Sequence, residues 1–283
     1  MKKINLAKAI AIAVTGTSLS FGMVSTVSAH VMYNTGAFSE YDGWTKEDGR
    51  LNTGAVIPWA GTPGAARPFG YVGLQPLNWA ATLHTAGSSV EVSQADSIAD
   101  YGFAADLDTA NGAWGSRQVD PANPSFSRGR ADYTDYGLVK SLVDTTIQVN
   151  VSKVNSADNI NNFGITVFTG MDNGTASYNR HAFWNTGYIS GLNEEPAQLD
   201  NPHGTSGLTY LTHGDQSTVT FQAMADQVYS IYLGGNDIGG DILGTPYGYK
   251  VEISAVPVPA AVWLFGTGLF GLAGLGRRKL KDA

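Results

Sequence analysis

The chain has five histidines and no cysteine, which narrows the chemistry open to it. Without thiolates, zinc–cysteine centres and thiol nucleophiles are excluded, and neutral imidazole becomes the main transition-metal donor. The most informative histidine is His30. It follows Val27-Ser28-Ala29, a run of small residues of the kind that precedes a signal-peptidase cut. Cleavage after Ala29 would make His30 the first residue of the mature protein, and its free amine and ring nitrogen could both ligate copper. A second ligand would come from His84, His181, His203 or His213, and the sequence alone does not choose among them. His181, His203 and His213 fall in or beside expected loops, near Trp184, Asp200 and Asp215, where exposed polar residues are the ordinary finding.

Two oxygen-rich stretches could begin a calcium shell, which wants six to eight oxygens on a tight turn. Asp106, Asp108 and Asn111 precede Gly112, and Asp237 and Asp241 flank the glycines after Ile238. Neither stretch has the spacing of the helix–loop–helix calcium motif, and no Glu closes the first. Glu194 and Glu195 are adjacent, whereas glycoside hydrolysis needs two carboxylates facing each other across the bond. No Gly-x-Ser-x-Gly, His-Glu-x-x-His or phosphate-binding glycine loop occurs, so the commonest hydrolase and nucleotide signatures are missing. Trp44 and Trp59 are candidates for a face that stacks on sugar rings, with core packing as the alternative for each.

The elements that must position these residues are strands. Thr146 to Ser152, Phe163 to Val167, Thr218 to Ala223 and Tyr249 to Ile253 alternate polar and apolar residues, the period of a strand buried on one side. Gln227 to Leu233 is more continuously apolar, as a central strand would be. Leu77 to Leu83 and Ser89 to Ser93 are further strand candidates, and Asp106 to Ser127 reads as loop. Glycine, asparagine and aspartate punctuate the runs. The expected fold is all-β, a β-sandwich of jelly-roll type over residues 131–255, preceded by an irregular aromatic-rich region over 30–130.

The two ends read as membrane segments. Lys2, Lys3 and Lys8 precede an apolar stretch that runs to Ala29, a secretory signal peptide over 1–29 that implies signal peptidase as a partner. At the other end, Val256-Pro257-Val258-Pro259-Ala260 leads into an uncharged run ending at Gly276, followed by Arg277-Arg278-Lys279. Seventeen residues as a helix span roughly 25 Å, the short limit for a bilayer core. The basic cluster fits a cytoplasmic stop.

This arrangement over 256–283 resembles the PEP-CTERM sorting signal in its Val-Pro-Leu-Pro-Ala variant. Val258 stands where that variant has Leu, and the Pro-Glu-Pro of the parent signal is absent. The resemblance implies recognition and cutting by an exosortase-class membrane protease in a Gram-negative bacterium that makes exopolysaccharide. It further implies an inner-membrane intermediate and then a place at the cell surface or outside it.

With leader and tail set aside, ten Lys and Arg stand against 23 Asp and Glu, a net charge of −13. Such a surface argues against nucleic acid or an anionic membrane as a partner. The expectation is a non-enzymatic surface or matrix protein, associated with exopolysaccharide and biofilm and binding glycan or calcium. The alternative is a secreted copper-dependent polysaccharide-oxidising enzyme. His30 at the mature amino terminus is similar to the first ligand of copper polysaccharide monooxygenases, and the similarity stops at that residue. The two classes differ in one requirement: the second needs another histidine within coordinating distance of His30.

Overall fold

The computed structural model describes residues 29–36, 58–73, 75–109, 134–158, 160–173, 206–235 and 247–256. They form a sandwich of two sheets, the expected all-β fold. In chain order the strands are β1 (His30–Asn34), β2 (Trp59–Ala60), β3 (Trp79–Leu83), β4 (Ser89–Val92), β5 (Asp108–Thr109), β6 (Asp135–Ser141), β7 (Thr145–Lys153), β8 (Phe163–Gly170), β9 (Leu208–Gly214), β10 (Thr218–Ala223), β11 (Val228–Gly235) and β12 (Tyr247–Val256). One sheet runs β2-β1-β3-β6-β11-β8-β9; the other runs β10-β7-β12-β4, with β5 paired to β12. Among the described pairings only β3–β6 is parallel.

Strands from both sides of position 130 enter both sheets. β3 pairs with β6 in the first, and β4 pairs with β12 in the second. The aromatic-rich region thus supplies the β1–β3 portion of the seven-stranded sheet and one edge of the other.

The alternating runs behave as their period requires. β7, β10 and β12 bury every second side chain between the sheets and turn the others outward. The inner layer collects Tyr33, Trp79, Leu83, Ile147, Ile165 and Ile253 with their neighbours. Trp79 sets its geometry. It lies beside Gly137 across the parallel β3–β6 pair, and a Cβ at Gly137 would come within 2.2 Å of the indole ring. Only glycine leaves that ring its place. The indole Nε1 donates to the Tyr249 hydroxyl at 3.2 Å, and that hydroxyl donates to the buried Asp135 carboxylate. Tyr249 belongs to the opposite sheet, so the chain of polar contacts ties the two sheets together inside an apolar core.

The seven-stranded sheet has a second apolar layer on its outer face. Met32, Ala80, Leu138, Phe168 and Tyr232 pack there with Trp59, Tyr71 and Leu77. A polar network fastens this layer. The Tyr71 hydroxyl donates to the Gln75 carbonyl at 2.8 Å, the Gln75 backbone N–H donates to Asp172 Oδ2 at 3.1 Å, and the Tyr232 hydroxyl donates to Gln75 Oε1.

One helix, α1 (Gln94–Tyr101), follows β4. Ser93 caps it, accepting the Asp96 N–H at 3.0 Å, and Gly102 ends it in the left-handed conformation at φ 78°, the usual helix start and stop. No described helix is long and apolar enough to cross a membrane.

Candidate metal site

The β1–β3 pairing brings two histidines to one spot. The register sets His30 opposite Thr82, Val31 opposite Ala81 and Met32 opposite Ala80. Side chains alternate along a strand, so His30, Thr82 and the residue two beyond Thr82, His84, share the outer face of the seven-stranded sheet. His84 leaves the end of β3, two residues past the position opposite His30. There His30 Nδ1 and His84 Nε2 lie 3.0 Å apart, with the rings edge-on at 70° and their centroids 5.2 Å apart.

Both strand ends are held. The Tyr101 hydroxyl of α1 donates to the Val31 carbonyl at 2.7 Å, and the Tyr33 hydroxyl donates to Asp96 Oδ2 at 2.8 Å. These contacts fix β1 against the helix directly after His30. Beyond His84 the chain turns at Thr85–Ser88, where the Ser88 N–H donates to the Thr85 carbonyl at 3.1 Å. That turn is bonded to β12 through Gly87 N–H to the Ala255 carbonyl and Ala255 N–H to the Ser88 carbonyl, each 2.8 Å. The histidine pair thus sits on two anchored backbones, with the buried Thr82 as its floor.

Electrostatics keep His30 in its ligating form. Burial first, then the neighbouring His84 and then Lys140, hold its imidazole below the ordinary histidine value. A neutral imidazole has a lone pair to give a metal. Two imidazole nitrogens 3.0 Å apart can both reach one ion at the ~2.0 Å of a metal–imidazole bond. His30 is exposed and His84 half-buried, so an ion could enter from solvent. The donor set therefore fits copper, to which imidazole is well suited. Among the described residues no group of three or more His, Cys, Asp or Glu side chains could hold a metal. Cleavage after Ala29 would add the His30 amine to the pair as a third donor.

The other candidates separate from this site. His213 lies on β9, at the far edge of the same sheet, with its Nδ1 2.5 Å from the Tyr210 hydroxyl. Asp106 and Asp108 lie one residue apart at β5, both half-buried. Burial, then the Asp106 charge, push the Asp108 carboxyl up to about 6.

Trp59 corrects the expectation of a sugar-stacking surface. It is 2 % exposed and packs within the outer apolar layer, leaving no ring face for a glycan. Val256, the first residue of the stretch expected to be a sorting signal, is the last residue of β12, paired with Thr146. Trp44, Asn111, Asp237, Asp241, His181, His203, Pro257, Val258, Pro259, Ala260, Arg277, Arg278 and Lys279 lie outside the described residues, as do both expected membrane segments.

No family model matches the chain, and no curated protein matches it. Among solved structures it is similar to CorA of Methylomicrobium album BG8, described as a surface-associated copper-binding protein important in copper acquisition. The identity is 11 % and the TM-score 0.31, over 62 % of this chain and 97 % of that one. It is also similar to the mercury-soaked secreted protein MopE of Methylococcus capsulatus, in which an oxidised tryptophan is said to facilitate copper binding. There the identity is 10 % and the TM-score 0.29, over 84 % of this chain and 97 % of that one.

Proposed function

We propose that this is an exported surface protein that binds copper through His30 and His84. One observation carries the reading: the 3.0 Å approach of His30 Nδ1 to His84 Nε2 on two anchored strand ends. The expected cut after Ala29 adds a further donor at the same spot, because it frees the amine of His30 itself. Copper, when bound, supplies one-electron redox chemistry; the chain holds it, keeps His30 neutral and leaves one side open to solvent. The leader and the tail that resembles the PEP-CTERM signal support delivery through the inner membrane to the cell surface, with an exosortase-class protease acting on the tail.

The test is a copper titration of the processed protein followed by spectroscopy. One ion per chain, lost in His84→Ala and in His30→Ala, is expected. Undiminished tight binding by either variant would remove the pair as the site. The exposure of His30 also favours a second reading, copper-dependent oxidation of a polysaccharide. Incubation with polysaccharide, a reductant and oxygen would then yield oxidised sugar products from the wild-type chain and none from His84→Ala. No oxidised product from the copper-loaded wild type would leave binding alone.

A further inference from the structure

The histidine pair has a cationic neighbour that the sequence does not point to. Thr82, opposite His30 on one side, faces Lys140 of β6 on the other. The three residues therefore form one row across three strands, on the same face of the sheet. Strands lie about 4.8 Å apart, so the His30 and Lys140 backbones are roughly 10 Å apart. The Lys140 ammonium stands over the Phe69 ring, 5.0 Å from its centroid. Phe69 takes a left-handed conformation at φ 54° between Pro68 and Gly70, an arrangement that costs a non-glycine residue energy and marks a position held by its surroundings. Among the described residues the ammonium meets no carboxylate.

We propose that Lys140 sets the charge preference of the His30–His84 site, favouring monovalent over divalent copper. The inference rests on the copper reading of the pair. Two neutral imidazoles bring no charge to offset the ion, so the net field of the nearby residues decides which valence is held better. A fixed cation repels a dication twice as strongly as a monocation at the same point. Over a separation of the order of that backbone spacing, with an effective dielectric between that of a protein surface and that of water, the one-charge difference is worth about two- to ten-fold in relative affinity. Phe69 holds the ammonium near the sheet by a cation–π contact, so the charge does not simply swing away.

The experiment measures Cu(I) and Cu(II) affinities by competition with chelators selective for each state. It uses the processed full chain as wild type, Lys140→Gln, Lys140→Arg and His84→Ala. Glutamine removes the charge while keeping most of the stem and adds no thioether, which would itself favour Cu(I), and arginine keeps the charge. The ratio of Cu(I) to Cu(II) affinity is expected to fall about two- to ten-fold in Lys140→Gln and to be retained in Lys140→Arg. The difference between wild type and Lys140→Gln should shrink at high salt, as a screened charge effect must. An unchanged ratio in Lys140→Gln, with copper still lost in His84→Ala, would overturn the role of Lys140 and leave the copper site standing. Equal copper binding by wild type and His84→Ala would overturn both.

Discussion

The two outer faces of the sandwich are built from the same kind of element and serve opposite ends. On the five-stranded sheet the outward row is Thr146, Gln148 and Asn150 on β7 with Thr218, Thr220 and Gln222 on β10, exposed or half-exposed. Thr218 donates to Asn150 across the strands at 2.9 Å, and Gln222 donates to Thr146 at 2.7 Å. On the seven-stranded sheet most of the outward face is apolar and covered, and at one end of it His30, Thr82 and Lys140 stand in line. A polar group retained at the rim of an apolar layer costs desolvation. The geometry there gives that cost a use, since it holds two imidazoles together and keeps one of them neutral.

Mutations should separate the faces most sharply in the layer they share. Gly137→Val is expected to prevent folding or to cost more than about 3 kcal/mol, because its side chain would occupy the place of the Trp79 ring; overpacking and displacement of a core aromatic are both in play. Chemical denaturation measures it, and a loss under 1 kcal/mol would mean that the sheets can separate without cost. Next comes Tyr232→Phe, which leaves buried Gln75 without its hydroxyl partner and should cost about 1–3 kcal/mol. Gln148→Ala, on the bare face, should stay within about 0.5 kcal/mol. A loss at Gln148 equal to that at Tyr232 would mean that the five-stranded face is covered too.

A pH series tests the half-buried Asp108. The Asp108 carboxyl is raised to about 6 in the fold, so between about pH 4 and 6 the native chain binds this proton more tightly than the unfolded chain does. Its contribution to stability is greatest below that window and is lost as pH rises through it. Melting temperature should therefore fall between pH 4 and 6.5 by more in wild type than in Asp108→Asn. Identical slopes would show that Asp108 titrates as a free carboxyl. A small effect is expected of His84→Ala on metal-free stability, below about 1 kcal/mol by calorimetry, since the pair is exposed or half-exposed.

What the sequence reveals follows the same division of faces. β7, β10 and β12 expose one side to solvent, so their period of two is written in the residues, and the expected runs at 146–152, 218–223 and 249–253 coincide with them. β8 is buried on both sides over most of its length, yet Phe163 to Val167 still alternate through Gly164 and Thr166; in β3 and β6, buried on both sides, alternation fades. β1 and β9 draw no expectation at all. His30 is singled out by the leader that precedes it, but its partner is not. His84 becomes visible only through the β1–β3 register, and β1 is a five-residue strand with no periodic signal. Lys140 lies two strands away, on β6 across β3, by the same register logic, and its place depends on a parallel pairing that no local pattern announces. Trp59 shows the reverse case: composition suggests a sugar platform, whereas packing on the covered face makes it core.

The most direct measurement is a crystal structure of the processed protein loaded with one equivalent of copper, with anomalous scattering recorded at the copper edge. A single strong peak within bonding distance of both His30 Nδ1 and His84 Nε2 is the expected result. A peak at any other place, or none with the two imidazoles still hydrogen-bonded to each other, would contradict the assignment.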